Sequence, residues 1–449
     1  MRSSARTTTT ALARHLNAVF PTSSFPACTR CRAPKPHTPR LFSLTASSRS
    51  PSNFVSPPPP PSSGYAALPS RRLISIAGPD APKFLQGVIT ASITGPEAEP
   101  RKSGFYTAFL TAQGRILFDV FIYPDTLGIF HANNPSDPSA EPGTAFLIEV
   151  DAAQASSLTR HIRRYKLRAR LNARLLDDAE ATVWHAWNDP AGGAALPPLD
   201  ALAASAPADS ALALDTRAPG MGVRFVHRGV EAPPLLDLDE STEAAYTVRR
   251  YLFGVPEGQH ELVREQALPQ ESNVDVMGGV DYRKGCYVGQ ELTIRTKHRG
   301  VVRKRVLPCV LYGSEDPVPP TELAYRSEGA GAASVRAEDV PGEAKIESVD
   351  KRARNPGKWL RGVGNIGLAL CRLETMTDVA GPLPTSSYKS TDEFKIEWEA
   401  GEDEAGEKTD GGSVMVKAFV PNWLRAALDA QAAQAQGKSQ SQPQTEATE

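Results

Sequence analysis

The first acidic residue of this 449-residue chain is Asp80, and the 79 residues before it carry ten of the 50 Lys and Arg residues. A segment with one sign of charge that is also rich in Ser and Thr has the composition of an organelle import sequence. Apolar residues recur at roughly helical spacing in Thr7–Phe20, and Arg14 lies between them. We therefore predict import into the mitochondrial matrix, with a disordered basic tail as the alternative.

The pentaproline run Pro57–Pro61 follows this segment. Proline-rich stretches are stiff spacers, so residues 1–65 are predicted to be a presequence and a linker, with the first strand at Leu73–Ile76. Cys28 and Cys31 have zinc or redox spacing, but no second pair follows them nearby, so we interpret this motif as incidental.

Composition excludes several classes for the chain as a whole. No run approaches the ~18 apolar residues of a membrane span. Five cysteines in so long a chain do not make a disulfide scaffold, and a net charge of −1 argues against a nucleic-acid partner.

Alternating strand and helix patterns predict an α+β region at 66–300. A helix opens at Gly78-Pro79-Asp80, and alternating apolar residues on both sides of Gly114 predict a hairpin. Asp151 is predicted to cap a further helix. Residues 188–214 are rich in Ala, Pro and Gly and predict a surface insertion.

The last third of the chain has a different sequence pattern. Short strand-like segments separated by long polar stretches predict a small antiparallel β-barrel at 301–428, with loops at 314–358 and 381–412. Residues 429–449 are rich in Gln, Ser and Ala and are predicted to be a disordered tail.

The sequence allows two interpretations for each of two charged features. Asp119 interrupts the apolar strand after Gly114, either as an edge carboxylate facing water or as an acid held for ligand binding. The basic stretch from Arg160 to Arg170 either meets an acidic cofactor or partner or is a solvated helix end.

The candidate reactive residue is Cys286, within Lys284-Gly285-Cys286-Tyr287-Val288-Gly289-Gln290-Glu291. The two glycines permit a tight turn and close backbone approach. A helix is predicted to begin at Gly289 or Gln290, and its N-terminus together with Arg283 and Lys284 favours the thiolate. The alternative is a small buried cysteine in a structural turn.

This octapeptide, together with Gln270–Asp275, Arg295-Thr296 and His298–Gly300, resembles the signature of the YgfZ-type proteins. These folate-binding-like iron–sulfur cluster assembly factors are related in fold to the glycine-cleavage T-protein, an aminomethyltransferase. The resemblance runs from about residue 71 to residue 424, interrupted by insertions. It implies a motif role for Gly285, Tyr287, Gly289, Gln290, Glu291 and Arg295.

The resemblance also implies a three-domain arrangement around a central cavity that is large enough for folate. Asp119 matches the folate-facing aspartate of the T-protein, and tetrahydrofolate is therefore a possible cofactor. The T-protein's glycine-rich segment that grips the pterin has no counterpart, and Asp215–Arg224 stands in its place. Arg217 and Arg224 within it are candidate cofactor-binding residues.

The leading hypothesis is a mitochondrial matrix factor for late maturation of [4Fe–4S] proteins, with Cys286 as a reactive thiol or transient metal ligand and Lys284 and Asp119 as catalytic candidates. No stable metal is expected, because such clusters typically take four thiolates. The expected partners are A-type iron–sulfur carriers and recipient [4Fe–4S] enzymes. The alternatives are a tetrahydrofolate-dependent aminomethyltransferase and a structural adaptor.

Overall fold

The computed structural model describes residues 56–95, 99–129, 143–189, 210–232, 238–313, 318–327, 335–350, 355–379, 388–402, 408–409 and 411–440. The predicted helix Thr7–Phe20, the Cys28–Cys31 motif and most of the predicted insertion lie outside these ranges. No helix in the described ranges is long and apolar enough to cross a bilayer.

Regular structure begins earlier than the sequence predicts, at strand β1 (Ser63–Ala67). The proline run before it is anchored to the folded part: Trp187 Nε1 donates to Pro61 O at 3.0 Å, and the Tyr325 hydroxyl donates to Pro57 O at 2.5 Å. The predicted boundary at residue 65 is therefore too late. These anchors are backbone carbonyls, which carry no sequence signal.

A five-stranded antiparallel sheet with the order β3-β4-β5-β2-β6 positions the first half of the α+β region. Its strands are β2 (Arg71–Ala77), β3 (Phe105–Leu110), β4 (Ile116–Pro124), β5 (Ala145–Asp151) and β6 (Asn172–Leu175). Helices α1 (Ala81–Val88) and α2 (Ala155–Tyr165) cover one face. The predicted hairpin is confirmed, and Asp151 caps the 3₁₀ turn that leads into α2, accepting from Ala153 N at 2.8 Å.

A four-stranded antiparallel sheet with the order β1-β7-β9-β8 packs against the other face. Its further strands are β7 (Ala181–Asn188), β8 (Ser210–Leu214) and β9 (Val223–Arg228). The C-terminal end of the predicted insertion is thus a strand. Helix α3 (Glu243–Phe253) ends at Gly254 with φ 71°, and helix α4 (Gln290–Arg299) follows a long irregular segment.

The C-terminal region forms a closed six-stranded antiparallel barrel, which confirms the predicted barrel and the α+β class. Its strands are β10 (Lys304–Tyr312), β11 (Lys345–Ser348), β12 (Gly357–Val363), β13 (Ile366–Arg372), β14 (Phe394–Trp398) and β17 (Gly412–Ala418). The pair β15 (Gly401–Glu402) and β16 (Lys408–Thr409) lies beside them, with helices α5 (Leu373–Met376) and α6 (Asn422–Gln440).

Two predictions for this region are wrong. The stretches predicted as loops contain β11 and β14, short strands that only pairing across the barrel makes recognisable. Helix α6 also continues to residue 440, within the stretch predicted to be a disordered tail.

Candidate functional site

The cysteine motif is a loop that closes onto the hairpin turn between β3 and β4. Gly289 caps α4 with φ 81°, and a Cβ atom there would lie 2.3 Å from Thr111 O. A Cβ atom at Gly114 would lie 2.9 Å from Gly289 O. Because backbone meets backbone at this point, only glycine fits at Gly289, and the start of α4 is fixed against the hairpin.

Lys284 fixes the other side of the loop. Its Nζ donates to Ile89 O at 2.7 Å and to Ala91 O at 2.8 Å, and it lies 5.1 Å from the centre of the Tyr287 ring. Burial lowers the pKa of Lys284 to about 7. The ammonium group is committed to backbone carbonyls, so the geometry places Lys284 as an anchor of the loop.

Between these two anchors, Gly285 and Cys286 are exposed, whereas Tyr287 is buried. Burial raises the pKa of Tyr287 to about 12. Val288 N donates to Gly87 O at 3.0 Å, and Tyr287 N donates to Gln290 Oε1 at 3.3 Å. The aromatic ring and the backbone therefore hold the loop, while the thiol faces outward.

Cys286 differs from the other two cysteines that the structure describes. Cys309 and Cys371 are buried in the barrel with their Sγ atoms 3.9 Å apart, and burial raises the pKa of the Cys309 thiol. The alternative that Cys286 is a buried structural cysteine is wrong. Of these three thiols, Cys286 is the one that another molecule can reach.

Helix α4 continues the exposed surface beside Cys286, and Thr293 is its one buried residue. Its last turn is basic. An open pocket of about 520 Å³ lies along the helix. It is lined by Gln290, Glu291, Ile294, Arg295, His298 and Arg299. The other nine side chains of α4 are exposed or half-buried and are accessible to another molecule.

A buried ion-pair network between the two sheets is the second candidate site, and Asp119 belongs to it. Its carboxylate accepts from Arg71 Nη1 at 3.3 Å and from Gly258 N at 3.1 Å. Burial raises the pKa of Asp119, and Arg71 opposes that shift. The interpretation of Asp119 as an edge carboxylate facing water is therefore wrong.

Arg217 and Arg224 belong to the same network and are fully buried. Arg217 pairs with Asp215 and Glu257, both at 2.7 Å. Arg224 Nε lies 2.9 Å from Glu149 Oε1, and its Nη1 lies 3.0 Å from Glu257 Oε2. The members are Arg71, Asp119, Glu149, Asp215, Arg217, Arg224, Tyr246 and Glu257.

No protein-family model matches this chain. The curated proteins to which it is similar carry one and the same name. The mitochondrial iron–sulfur cluster assembly factor IBA57 homolog of Pyricularia oryzae is 53% identical over 379 residues, covering 82% of this chain and 87% of that protein. The homolog of Neurospora crassa is 46% identical over 429 residues, covering 92% of both. This chain belongs to the IBA57 family of mitochondrial iron–sulfur cluster assembly factors.

The resemblance to YgfZ-type assembly factors and the mitochondrial localisation are thereby confirmed. Among solved structures, a glycine cleavage system aminomethyltransferase T from Bartonella henselae is similar with 12% identity and a TM-score of 0.49, covering 81% of this chain and 86% of that one.

The contacts in the ion-pair network test whether this IBA57-family chain could hold the predicted tetrahydrofolate. Both carboxylate oxygens of Asp119 accept internal hydrogen bonds, and all three guanidinium nitrogens of Arg217 donate to Asp215, Glu257 or Tyr246. As arranged, these side chains do not fit a bound folate, because the groups that would hold it are already paired.

The structure keeps the two groups of predicted site residues separate. Among the described residues, no hydrogen bond or ion pair joins the network to the 284–291 loop. Neither group contains three or more His, Cys, Asp or Glu side chains placed to hold a metal ion, and the rest of the described chain contains no such group. Sequence reasoning missed Arg71, Glu149 and Glu257, whose partners are distant in the chain.

Proposed function

We propose that this IBA57-family chain is a matrix factor that assists the late maturation of [4Fe–4S] proteins, with Cys286 as a transient thiol ligand. The exposed position of Cys286, on a loop anchored by Lys284 and Gly289, supports this proposal. A ligand that must bind and release a cluster has to be accessible to the protein that brings it. A fixed loop also lowers the entropy lost when the complex forms.

The chemistry is coordination without net redox change. The Cys286 thiolate donates an electron pair to an iron atom whose remaining ligands a carrier protein supplies. That bond breaks when the cluster moves to the recipient, and the thiolate is regenerated. One thiolate suffices for this step, whereas resident clusters usually take four.

The surface beside Cys286 suits a protein partner. Helix α4 is exposed along most of its length, and its last turn carries Lys297, His298 and Arg299. A-type carriers and recipient [4Fe–4S] enzymes are the proposed partners. Aminomethyl transfer is the weaker alternative, because Asp119, Arg217 and Arg224 are paired internally.

The test is an anaerobic titration of the purified protein with a [2Fe–2S]-loaded A-type carrier, followed by visible circular dichroism and by the mass of the complex. We expect the wild type to change the cluster spectrum and Cys286→Ala to leave it unchanged. Cys371→Ala is the matched control, because it removes a buried thiol and should behave as the wild type does. An identical spectral change with Cys286→Ala would refute the ligand role.

An assay in cells that lack the native protein distinguishes the cluster-ligand role from the structural-adaptor alternative. Cys286→Ser removes one exposed sulfur and should fold normally while failing to sustain [4Fe–4S] enzyme activity. Full rescue by Cys286→Ser would mean that the motif serves the fold and the docking surface alone.

A further inference from the structure

A strongly basic surface lies at the end of α2 and in the turn after it. Between residues 160 and 170 there are six Lys and Arg residues and no acidic residue. Three of the six are used internally. Arg163 donates to Ala173 O at 3.2 Å, Lys166 donates to Leu171 O at 3.0 Å, and Arg170 pairs with Asp80 at 3.2 Å.

The other three, Arg160, Arg164 and Arg168, are exposed, and none of them has a hydrogen-bond or ion-pair partner among the described residues. These three guanidinium groups therefore form a positive surface that the fold itself does not neutralise.

Two large apolar side chains stand among these arginines. Leu167 is 85% exposed and has φ 45°, a left-handed conformation that is unfavourable for leucine. Tyr165 is 42% exposed, and its ring stacks on His161 at 4.2 Å. Glycine or asparagine at position 167 would remove both the strain and the exposed apolar surface, so folding does not explain the leucine.

We propose that this surface, the α2 patch, binds peripherally to an anionic membrane. It consists of Arg160, Arg164, Tyr165, Leu167 and Arg168. The arginines bind lipid phosphates, which match the guanidinium geometry. Leu167 enters the boundary between headgroups and acyl chains, and the amphipathic ring of Tyr165 lies at the headgroup level.

A membrane suits the α2 patch better than an acidic protein does. Protein hot spots are anchors that fill a pocket inside a ring of contacts, and leucine is under-represented among them. Leu167 is instead a single exposed leucine that lies between Arg164 and Arg168 in the chain. A fluid bilayer offers phosphates to the arginines and an apolar layer to the leucine at the same time. The α2 patch lies outside the Cys286 loop, so this inference does not depend on the proposed cluster chemistry.

The test uses protein purified from mitochondria and sedimentation with phosphatidylcholine vesicles, with and without cardiolipin. We expect binding to the cardiolipin vesicles and its release by salt. Each Lys or Arg near an anionic surface contributes about fivefold in affinity, so R160Q/R164Q/R168Q should lower binding roughly 100-fold. All variants have the same N-terminal segment, so any contribution of that segment to vesicle binding is equal in each variant and cancels in the comparison.

Matched controls separate the α2 patch from general charge and apolarity. K102Q/K345Q/R361Q removes three exposed charges elsewhere and should bind as the wild type does. Leu167→Asn should weaken binding roughly tenfold, since the apolar contact is lost, while the melting temperature stays equal or rises. Val230→Asn, at a valine that is 62% exposed, should change neither quantity.

Three outcomes would overturn the proposal. One is equal sedimentation with and without cardiolipin, or no sedimentation in either case. Another is equal loss of binding in the two triple variants. The third is binding of soluble polyglutamate by the α2 patch without vesicle binding, which would assign the surface to an acidic protein.

Discussion

Glu257 lies at the centre of the buried ion-pair network, and Glu257→Gln removes its charge while keeping its shape. Its Oε2 lies 2.7 Å from Arg217 Nη1 and 3.0 Å from Arg224 Nη1, and it accepts from the Tyr246 hydroxyl at 2.8 Å. A glutamine oxygen can still accept from Tyr246, but the two guanidinium groups lose a shared countercharge. Breaking a buried pair from one side costs about 3–5 kcal/mol, and we expect a loss of that size in the free energy of unfolding.

The assay is urea unfolding followed by circular dichroism, with Glu343→Gln as the matched control. Glu343 makes an exposed pair with Lys358 at 3.2 Å, and both side chains are more than 40% exposed. Exposed pairs contribute about 0–1 kcal/mol. The same chemical change should therefore have little effect there. A cost of Glu257→Gln no larger than that of Glu343→Gln would refute the role assigned to the network.

The pH dependence gives a second check on the same variant. Burial alone would raise the pKa of Glu257, but Arg224, Arg217 and Arg71 hold it well below its usual range. A carboxylate with a lowered pKa stabilises the fold above the pKa of the unfolded chain and loses that contribution as pH falls. The stability difference between wild type and Glu257→Gln should be full at neutral pH and shrink below about pH 4.5.

Four further outcomes are expected. Limiting iodoacetamide should label Cys286 before the buried barrel thiol of Cys309, and peptide mapping that shows the reverse order would contradict the exposed loop. Burial lowers the pKa of His185 to about 3, so between about pH 6.5 and pH 5 the wild type should lose about 1.4 kcal/mol more stability per pH unit than His185→Gln. The mature N-terminus should lie before Ser56, which is buried; a cut after β1 found by N-terminal sequencing would show that the proline anchors are dispensable. Asp119→Asn should leave the heat of any folate binding unchanged in calorimetric titration, and weakened binding would restore Asp119 to a ligand site.

The sequence alone determined the features that depend on neighbouring residues. The stop of α3 at Gly254, the start of α4 after Gly289 and the hairpin around Gly114 follow from glycine conformation and local alternation of apolar residues. The octapeptide around Cys286 also indicated the family, because a motif of that length and unusual composition rarely matches by chance.

Only the tertiary structure decided which polar side chains are paired. Arg71 meets Asp119 and Glu149 across 48 and 78 residues of chain, and Lys284 reaches the carbonyl of Ile89 across 195. Partners at such distances leave no periodic pattern, since neither residue type nor spacing records which strands become neighbours. The sequence therefore placed Asp119 on its strand and Cys286 before its helix, but sheet packing buried the first and left the second exposed.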